Sequence, residues 1–486
     1  MSLARALAAN TAVQIAGKVV SIIIGVIVVG IMTRLLGQEG FGAYSTANAF
    51  LQVFAIVLDM GLNVMVVQML GERRGDTAFE NRAVSAVFSL RFFSALIILS
   101  IAPIIGLFTP YAWELKMAFF AIWASFFFTA LNQIVIGVQQ RHLKMHVVAI
   151  AEVAGRTVLL AGVLIATAMH WGLIPVILIV SLAGTANFFV NFLIARRYAC
   201  FKLGFDWSFW KLTIGRSWPI GVSILFTLIY FKSDTLILSW VRPLSEVGIY
   251  GAAYRVLEIL AVFPFMYAGV LLPIIANAWT KGRKERFANL IRRSFDAFAI
   301  LTLPMLFGTL IVADKVMVLV AGPDFLASGG ILRILMIATA SIYLGTIFSH
   351  AVVALNKQKA MLPYYIAVAL ITLALYIIFI PKYGIWAAAW LTVFSEVTVA
   401  VITLVMTCVS ANMKLNWVPA GKALTASIVM YFAAKPFIDI SLALTMIVAA
   451  AVYTALIFAM KAVPMDIVRE IMQARKGAPT ADDTIG

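Results

Sequence analysis

The chain has 486 residues, 63% of them hydrophobic and only 12% charged, with a mean hydropathy of +1.02. A soluble protein of this size carries about twice that charged fraction, so a water-soluble globular fold is excluded and most soluble chemistry goes with it. The formal net charge of +16 reads as a topology signal rather than a nucleic-acid footprint, because the basic residues collect in alternate connections between apolar runs.

In chain order, about fourteen runs approach the ~20 apolar residues that cross a bilayer as a helix. Their cores are 12–32, 44–69, 83–108, 117–138, 147–168, 174–195, 219–240, 248–272, 297–313, 331–355, 362–380, 385–408, 419–435 and 440–460. Strand-like alternation is absent, so helices rather than a barrel satisfy the backbone. The fold class expected is an all-α polytopic membrane protein. The first run lacks a small-residue cleavage site and leads straight into a second, so it reads as a retained span rather than a signal peptide. Placing the N-terminus in the cytoplasm puts Arg73, Arg74 and Arg82, then Arg196, Arg197, Lys202 and Lys211, then Lys281, Arg283, Lys284, Arg286, Arg292 and Arg293 on that side. The far side keeps Arg34, Lys116, Arg242, Lys315, Lys382 and Lys435. Both ends are then cytoplasmic. Cys200 and Cys408 fall at cytoplasmic span ends, where no disulfide is expected. No cofactor or metal motif is present.

Ten of the charges inside the runs stand out: Asp59, Arg91, Glu152, Arg156, Lys232, Asp234, Arg255, Glu258, Arg333 and Glu396. Each costs roughly 2.5–3.5 kcal/mol at the centre of a membrane helix, about 30 kcal/mol in all if left facing lipid. They are therefore expected to face one another or a water-filled interior, as in a carrier of polar cargo. Glu152 and Arg156 are four apart and Arg255 and Glu258 three apart, so each pair shares a helical face, and a self-neutralising local salt bridge stands as the alternative to a cavity role for each. Lys232 and Asp234 are two apart, point differently, and each need a partner elsewhere. Pro264 and Pro304 lie mid-span, where kinks are expected. His350 is a weaker candidate for a proton relay.

The chain divides on this reading into a lobe at 1–200, an amphipathic interfacial linker at 201–218, a second lobe at 219–409, an extra helix pair at 410–463 and a cytoplasmic tail at 464–486. In the linker, Phe201, Phe205, Trp207, Phe209, Trp210 and Trp218 interleave with Lys202, Lys211 and Arg216, a pattern suited to a helix in the headgroup region. A short internal repeat superposes Gly42 on Gly248 and Tyr44 on Tyr250, as halves of parallel topology would.

Several motifs resemble a known family. Thr33-Arg34-Leu35-Leu36-Gly37, Gly40-Phe41-Gly42-Ala43-Tyr44 and Asp59-Met60-Gly61-Leu62 open the chain; Val247-Gly248-Ile249-Tyr250, Gly322-Pro323-Asp324-Phe325 and Asn356-Lys357-Gln358-Lys359 follow. The pattern is similar to Wzx-like polysaccharide flippases of the multidrug/oligosaccharidyl-lipid/polysaccharide exporter superfamily. That resemblance implies two six-helix lobes around a cavity, alternating access, and an undecaprenyl-pyrophosphate-linked oligosaccharide moved to the outer leaflet. On it, Arg91, Arg156, Lys232, Arg255 and Arg333 are the candidates for holding pyrophosphate, arginine donating bidentately to phosphate oxygens. Asp59, Asp234, Glu258, Glu396 and Glu152 are the candidates for coupling a proton or sodium ion, and Tyr230, Tyr254 and Asn187 for meeting sugars. Partners are the lipid-linked glycan, the coupling ion and membrane lipids. Which polymerase, if any, works beside it is not written in the sequence. A lipid II flippase and a multidrug antiporter are the alternatives. A membrane polymerase or glycosyltransferase fits less well, because the largest outer loop, 314–330, holds only Asp314, Lys315 and Asp324 as charges.

Overall fold

The computed structural model describes residues 3–59, 76–142 and 144–462. Met60-Gly61-Leu62, Arg73, Arg74 and the tail from 464 lie outside them, as do the side chains of residues 216–231, Tyr230 among them. The described residues form helices and no strands: α1 Leu3–Asp59, α2 Thr77–Leu107, α3 Trp113–Arg141, α4 Met145–Ala168, α5 Leu173–Ala195, α6 Trp207–Val241, α7 Leu244–Thr280, α8 Lys284–Ala321, α9 Ser328–Ala354, α10 Gln358–Ala411, α11 Val418–Ala434 and α12 Leu442–Ala459. Ten of them, among the described residues, are long and apolar enough to cross a membrane. Their outer faces carry large exposed apolar side chains such as Ile97, Leu182, Val270 and Ile447. Patches of that kind are rare on soluble monomers and suit contact with lipid. The chain is a multi-pass membrane protein.

Two helices are interrupted, and in both the break is a glycine. Gly37 in α1 has φ 64° and ψ −173°, and Gly384 in α10 has φ 56° and ψ −135°. Only glycine reaches such dihedrals without a Cβ penalty. The run 12–32 and the described part of 44–69 thus share α1, and 362–380 and 385–408 share α10. By contrast α7 is one helix through Pro264 and Pro273, and α8 through Pro304.

The described residues cluster into two compact units: one of Met1–Ala252, Met317–Leu326 and Tyr365–Leu391, and one of Ala253–Val316, Ala327–Tyr364 and Thr392–Gly486. In the first, aromatic rings of α2, α3 and α5 form the core, Phe127 stacking on Trp123 and Phe88 on Phe192. In the second, Phe287, Phe295, Phe298, Tyr343 and Phe348 do the same.

Within the first unit the sequence motifs meet one another. Arg34 donates from Nη1 to the carbonyl oxygen of Val320 (2.9 Å) and from Nη2 to that of Leu319 (2.7 Å). The last carbonyls of a helix have no partner within it, and a cation there also suits the helix dipole, so Arg34 closes the end of α8. Beside it, Gln38 donates to the Asp324 carbonyl and Phe41 meets Phe325 edge-on at 6.1 Å. The two glycines matched by the repeat pack directly together. A Cβ on Gly42 would run into the Leu244 carbonyl oxygen and stand 3.0 Å from the Gly248 nitrogen, and one on Gly248 would run into the carbonyl oxygen of Gln38.

The connector after α5 is not a helix at its start. Residues 200–206 are extended, and α6 begins at Trp207 and continues to Val241. The extended segment lies along α2 as a strap. Asn81 Oδ1 accepts from the Cys200 amide (2.8 Å); Ser85 Oγ donates to the Cys200 carbonyl (2.7 Å) and accepts from the Lys202 amide (3.2 Å). Ser89 Oγ repeats this with the Lys202 carbonyl (3.0 Å) and the Gly204 amide (3.0 Å). The spacings agree: four helical residues rise about 6 Å and two extended residues about 6.6 Å. Asp206 ends the strap by accepting from the Phe209 amide (3.1 Å) as the cap of α6 and pairing with Arg82 (2.8 Å). The Arg82 hydrogen bond holds the Asp206 carboxyl below its usual range.

A polar cavity inside the first unit

α1 and α4 pack closely because small residues line the contact: a Cβ on Gly17 would stand 2.8 Å from Ala149 Cβ. The same stripe continues in polar residues. Lys18 and Ser21 face Glu152, and Gly25 faces Arg156. Lys18 Nζ is 2.8 Å from Glu152 Oε1, and Ser21 Oγ donates to the same oxygen at 2.8 Å. The Arg156 guanidinium lies 3.8 Å from where a Gly25 Cβ would be. The alternative of a local Glu152–Arg156 bridge is therefore not what forms. The four-residue step does put both on one face, but α1 supplies a better partner for the acid. Among the described residues Arg156 makes no ion pair or hydrogen bond.

Beyond this face, α3, α4 and α5 form a half-open cavity of about 340 Å3, lined by Glu152, Arg156, Ser125, Thr129, Asn132, Gln133 and Asn187 together with apolar groups. Its lining asparagines Asn132 and Asn187 form a connected set with Asn191. Asn132 Nδ2 donates to Asn187 Oδ1 (3.0 Å), while Asn191 Nδ2 donates to Asn132 Oδ1 (3.1 Å) and Asn187 Oδ1 (3.3 Å). This network sets the amide orientation. Asn187 Oδ1 takes two donors, and its Nδ2 has no acceptor among the described residues. A guanidinium, a free amide, two hydroxyls and a carboxylate thus converge on a space walled by Ile136, Val148 and Leu159.

The other sequence candidates sit elsewhere, several in local pairs. Arg91 donates to Asp59 Oδ1 (2.7 Å) and to the Leu58 carbonyl (2.7 Å), fully buried on α2. With a guanidinium on it, Asp59 is a poorer cation receptor than its isolation in the sequence suggests. Asp234 is buried and accepts from Tyr250 Oη (2.5 Å) and from Thr235, with Lys232 buried nearby on α6. In the second unit Arg255 pairs with Glu258 (2.7 Å), as their spacing anticipates, and Arg333 with Asp314 (2.7 Å). Glu396 is buried on α10. His350 Nδ1 lies 2.9 Å from the Thr346 carbonyl of its own helix. Tyr254 is buried. The second unit also holds a larger, apolar cavity of about 920 Å3 between α7, α8, α9, α11 and α12, with Arg293, Asp296, Thr309 and Tyr453 among its lining residues.

Lys18, Ser21, Ser125, Thr129, Asn132 and Gln133 were not singled out from the sequence. Lys18, Ser21 and Gly25 sit at helical spacing on one face, and Asn132 is as deep in its span as Asn187; those signals were present.

Comparison with known proteins agrees with this architecture. The chain is 25% identical over 203 residues to the Haloferax volcanii protein described as "Probable low-salt glycan biosynthesis flippase Agl15", covering 41% of this chain and 43% of that protein. It thus spans under half the length of that relative. Among solved structures, the lipid II flippase MurJ in its inward closed conformation superposes with a TM-score of 0.75 at 14% identity, covering 91% of this chain and 97% of that one. An inward-facing multidrug resistance MATE transporter of the MOP superfamily superposes at 0.68, also at 14% identity, covering 84% and 98%. All three are named as flippases or transporters and none as an enzyme, and the two structures share this fold. Residues 7–279, more than half of the chain, match the family described as polysaccharide biosynthesis protein, and the chain belongs to that family.

Proposed function

We propose that the protein is a flippase for a lipid-linked oligosaccharide, carrying an undecaprenyl-pyrophosphate-bound repeat unit from the cytoplasmic to the outer leaflet of the cell membrane by alternating access. The observation that carries this reading is the cavity at Arg156: an uncompensated cation with hydrogen-bonding amides and hydroxyls, set among helices whose outer faces are apolar. Glycans and phosphates need that chemistry, and an intramembrane ionisable group is costly enough to imply use. The apolar cavity of the second unit is large enough for part of a polyprenyl chain. Fourteen crossings, two six-helix halves followed by a helix pair, and cytoplasmic termini belong to the same proposal, supported by the bias of basic loops.

Export is coupled, on this proposal, to the membrane potential and to proton or sodium antiport. A pyrophosphate with about two charges leaving a negative interior of 100 mV gains roughly 4–5 kcal/mol. Asp234 and Glu396, the buried carboxylates not held by an arginine in the described structure, are the coupling candidates.

Reconstitution in vesicles tests this. A labelled lipid-linked oligosaccharide should equilibrate between leaflets only with the protein present, faster under an inside-negative potential or an imposed proton or sodium gradient. Arg255→Ala and Asp234→Ala should each slow it by about tenfold or more, one charged hydrogen bond being worth about 1.5–3 kcal/mol. No movement of the lipid-linked glycan in any gradient would reject the function. Movement indifferent to voltage and to both ions would reject the coupling alone.

A further inference from the structure

We propose that the cavity around Arg156 takes a single acidic sugar residue of the carried glycan, with its carboxylate on the Arg156 guanidinium. This rests on the flippase reading above and narrows its substrate to glycans containing such a residue.

Charge gives the first argument. Three ionisable side chains meet at the α1–α4 face, and two of them, Lys18 and Glu152, neutralise each other at 2.8 Å. Arg156 is left as one unit of positive charge facing the cavity. A ligand carrying one negative charge completes the balance. A diphosphate carries more charge than this cavity can match, and a cationic drug would be repelled. The planar guanidinium also fits a planar carboxylate by two parallel hydrogen bonds.

The remaining groups suit ring hydroxyls. Asn187 Nδ2 has no acceptor among the described residues, because its Oδ1 is already held by Asn132 and Asn191. Ser125 and Thr129 both donate and accept. Glu152 Oε1 is occupied by Lys18 and Ser21, which leaves Oε2 as a carboxylate acceptor for a sugar hydroxyl. The walls supply aliphatic contact and no aromatic ring, so recognition here is by hydrogen bonding rather than by stacking. Size sets the final limit. A cavity of about 340 Å3 is at the small end of ligand sites, which run from about 300 to 1,000 Å3. It holds one sugar ring with its substituent, not a repeat unit with its lipid.

The test uses the full chain in lipid nanodiscs, with glucuronate, glucose and pyrophosphate as probes in ligand-observed NMR titrations. Glucuronate should bind about tenfold or more tightly than glucose, the margin expected of one charge-assisted hydrogen bond. Arg156→Gln should erase that margin, Arg156→Lys should retain part of it, and Asn187→Ala should weaken both sugars. Equal binding of the two sugars, or a glucuronate preference that survives Arg156→Gln, overturns the proposal. Preferential capture of pyrophosphate overturns it too, and makes the cavity a phosphate site. If Arg156→Gln does not fold, the wild-type selectivity and the Arg156→Lys variant decide. Vesicle transport run in parallel separates the two levels. Normal glycan-lipid movement without acidic-sugar preference sinks this inference only, whereas no movement at all sinks the function beneath it.

Discussion

Asp59→Ala is expected to destabilise the protein by about 3–5 kcal/mol, the cost of leaving the buried Arg91 charge uncompensated, and to do so more severely than removing the arginine. The asymmetry follows from burial. The Arg91 side chain is 1% exposed while that of Asp59 is 37% exposed. Without the acid, a guanidinium is stranded in the core between α1 and α2, with the Leu58 carbonyl as its remaining described acceptor. Without the arginine, the acid still reaches its exposed side, and Arg91→Met keeps most of the buried volume, so about 1–3 kcal/mol is expected, the range for an unsatisfied polar group. The fraction of monodisperse protein left after heating in detergent measures both. Equal losses would mean that the guanidinium finds another counter-charge, and a larger loss for Arg91→Met would refute the burial argument.

Gly248→Ala carries the second large effect. The added methyl would run into the Gln38 carbonyl oxygen, with the Gly42 nitrogen 3.1 Å away. Both obstacles are backbone, so no side chain can swing aside, and α1 and α7 must separate. Overpacking of this kind costs about 1–3 kcal/mol and at times more. Gly421→Ala in α11 is the matched control. No atom lies within 4 Å of its added methyl, and alanine is worth up to about 1 kcal/mol over glycine in a helix. The melting temperature should therefore fall for the first substitution and hold or rise for the second. A tolerated Gly248→Ala would show that the helices are not in backbone contact.

The fold class was legible because hydrocarbon thickness sets the length of an apolar run, and a long run has only helical ways to satisfy its backbone. The interruptions were not. Pro264 and Pro304 are the residues at which kinks are expected, yet the dihedrals depart from helical at Gly37 and Gly384, where the chain needs positive φ. Sequence shows that a residue is able to break a helix, not that tertiary packing asks it to. The Arg156 cavity was half legible for a similar reason. Spacing put Glu152 and Arg156 on one face, but the partners that take Glu152 come from α1, more than a hundred residues earlier. Asn187 was visible as an intramembrane amide; that its nitrogen is the free end depended on Asn132 and Asn191, which only the folded chain assembles. The strap shows the same limit. The aromatic and basic residues of 201–218 suit an interfacial helix; from Trp207 on they are helical, while two distant serines hold the stretch before it along α2.

That strap has a practical corollary for anyone cutting or tagging the gene product. Cys200, Lys202 and Gly204 owe their backbone partners to Asn81, Ser85 and Ser89, so the segment is stitched to a helix encoded long before it. A reporter domain spliced in at Gly204 would unpick the stitches one after another. The turn at Gly282, with φ +70° and no heavy atom within 4 Å of where a Cβ would stand, would accept the same cargo.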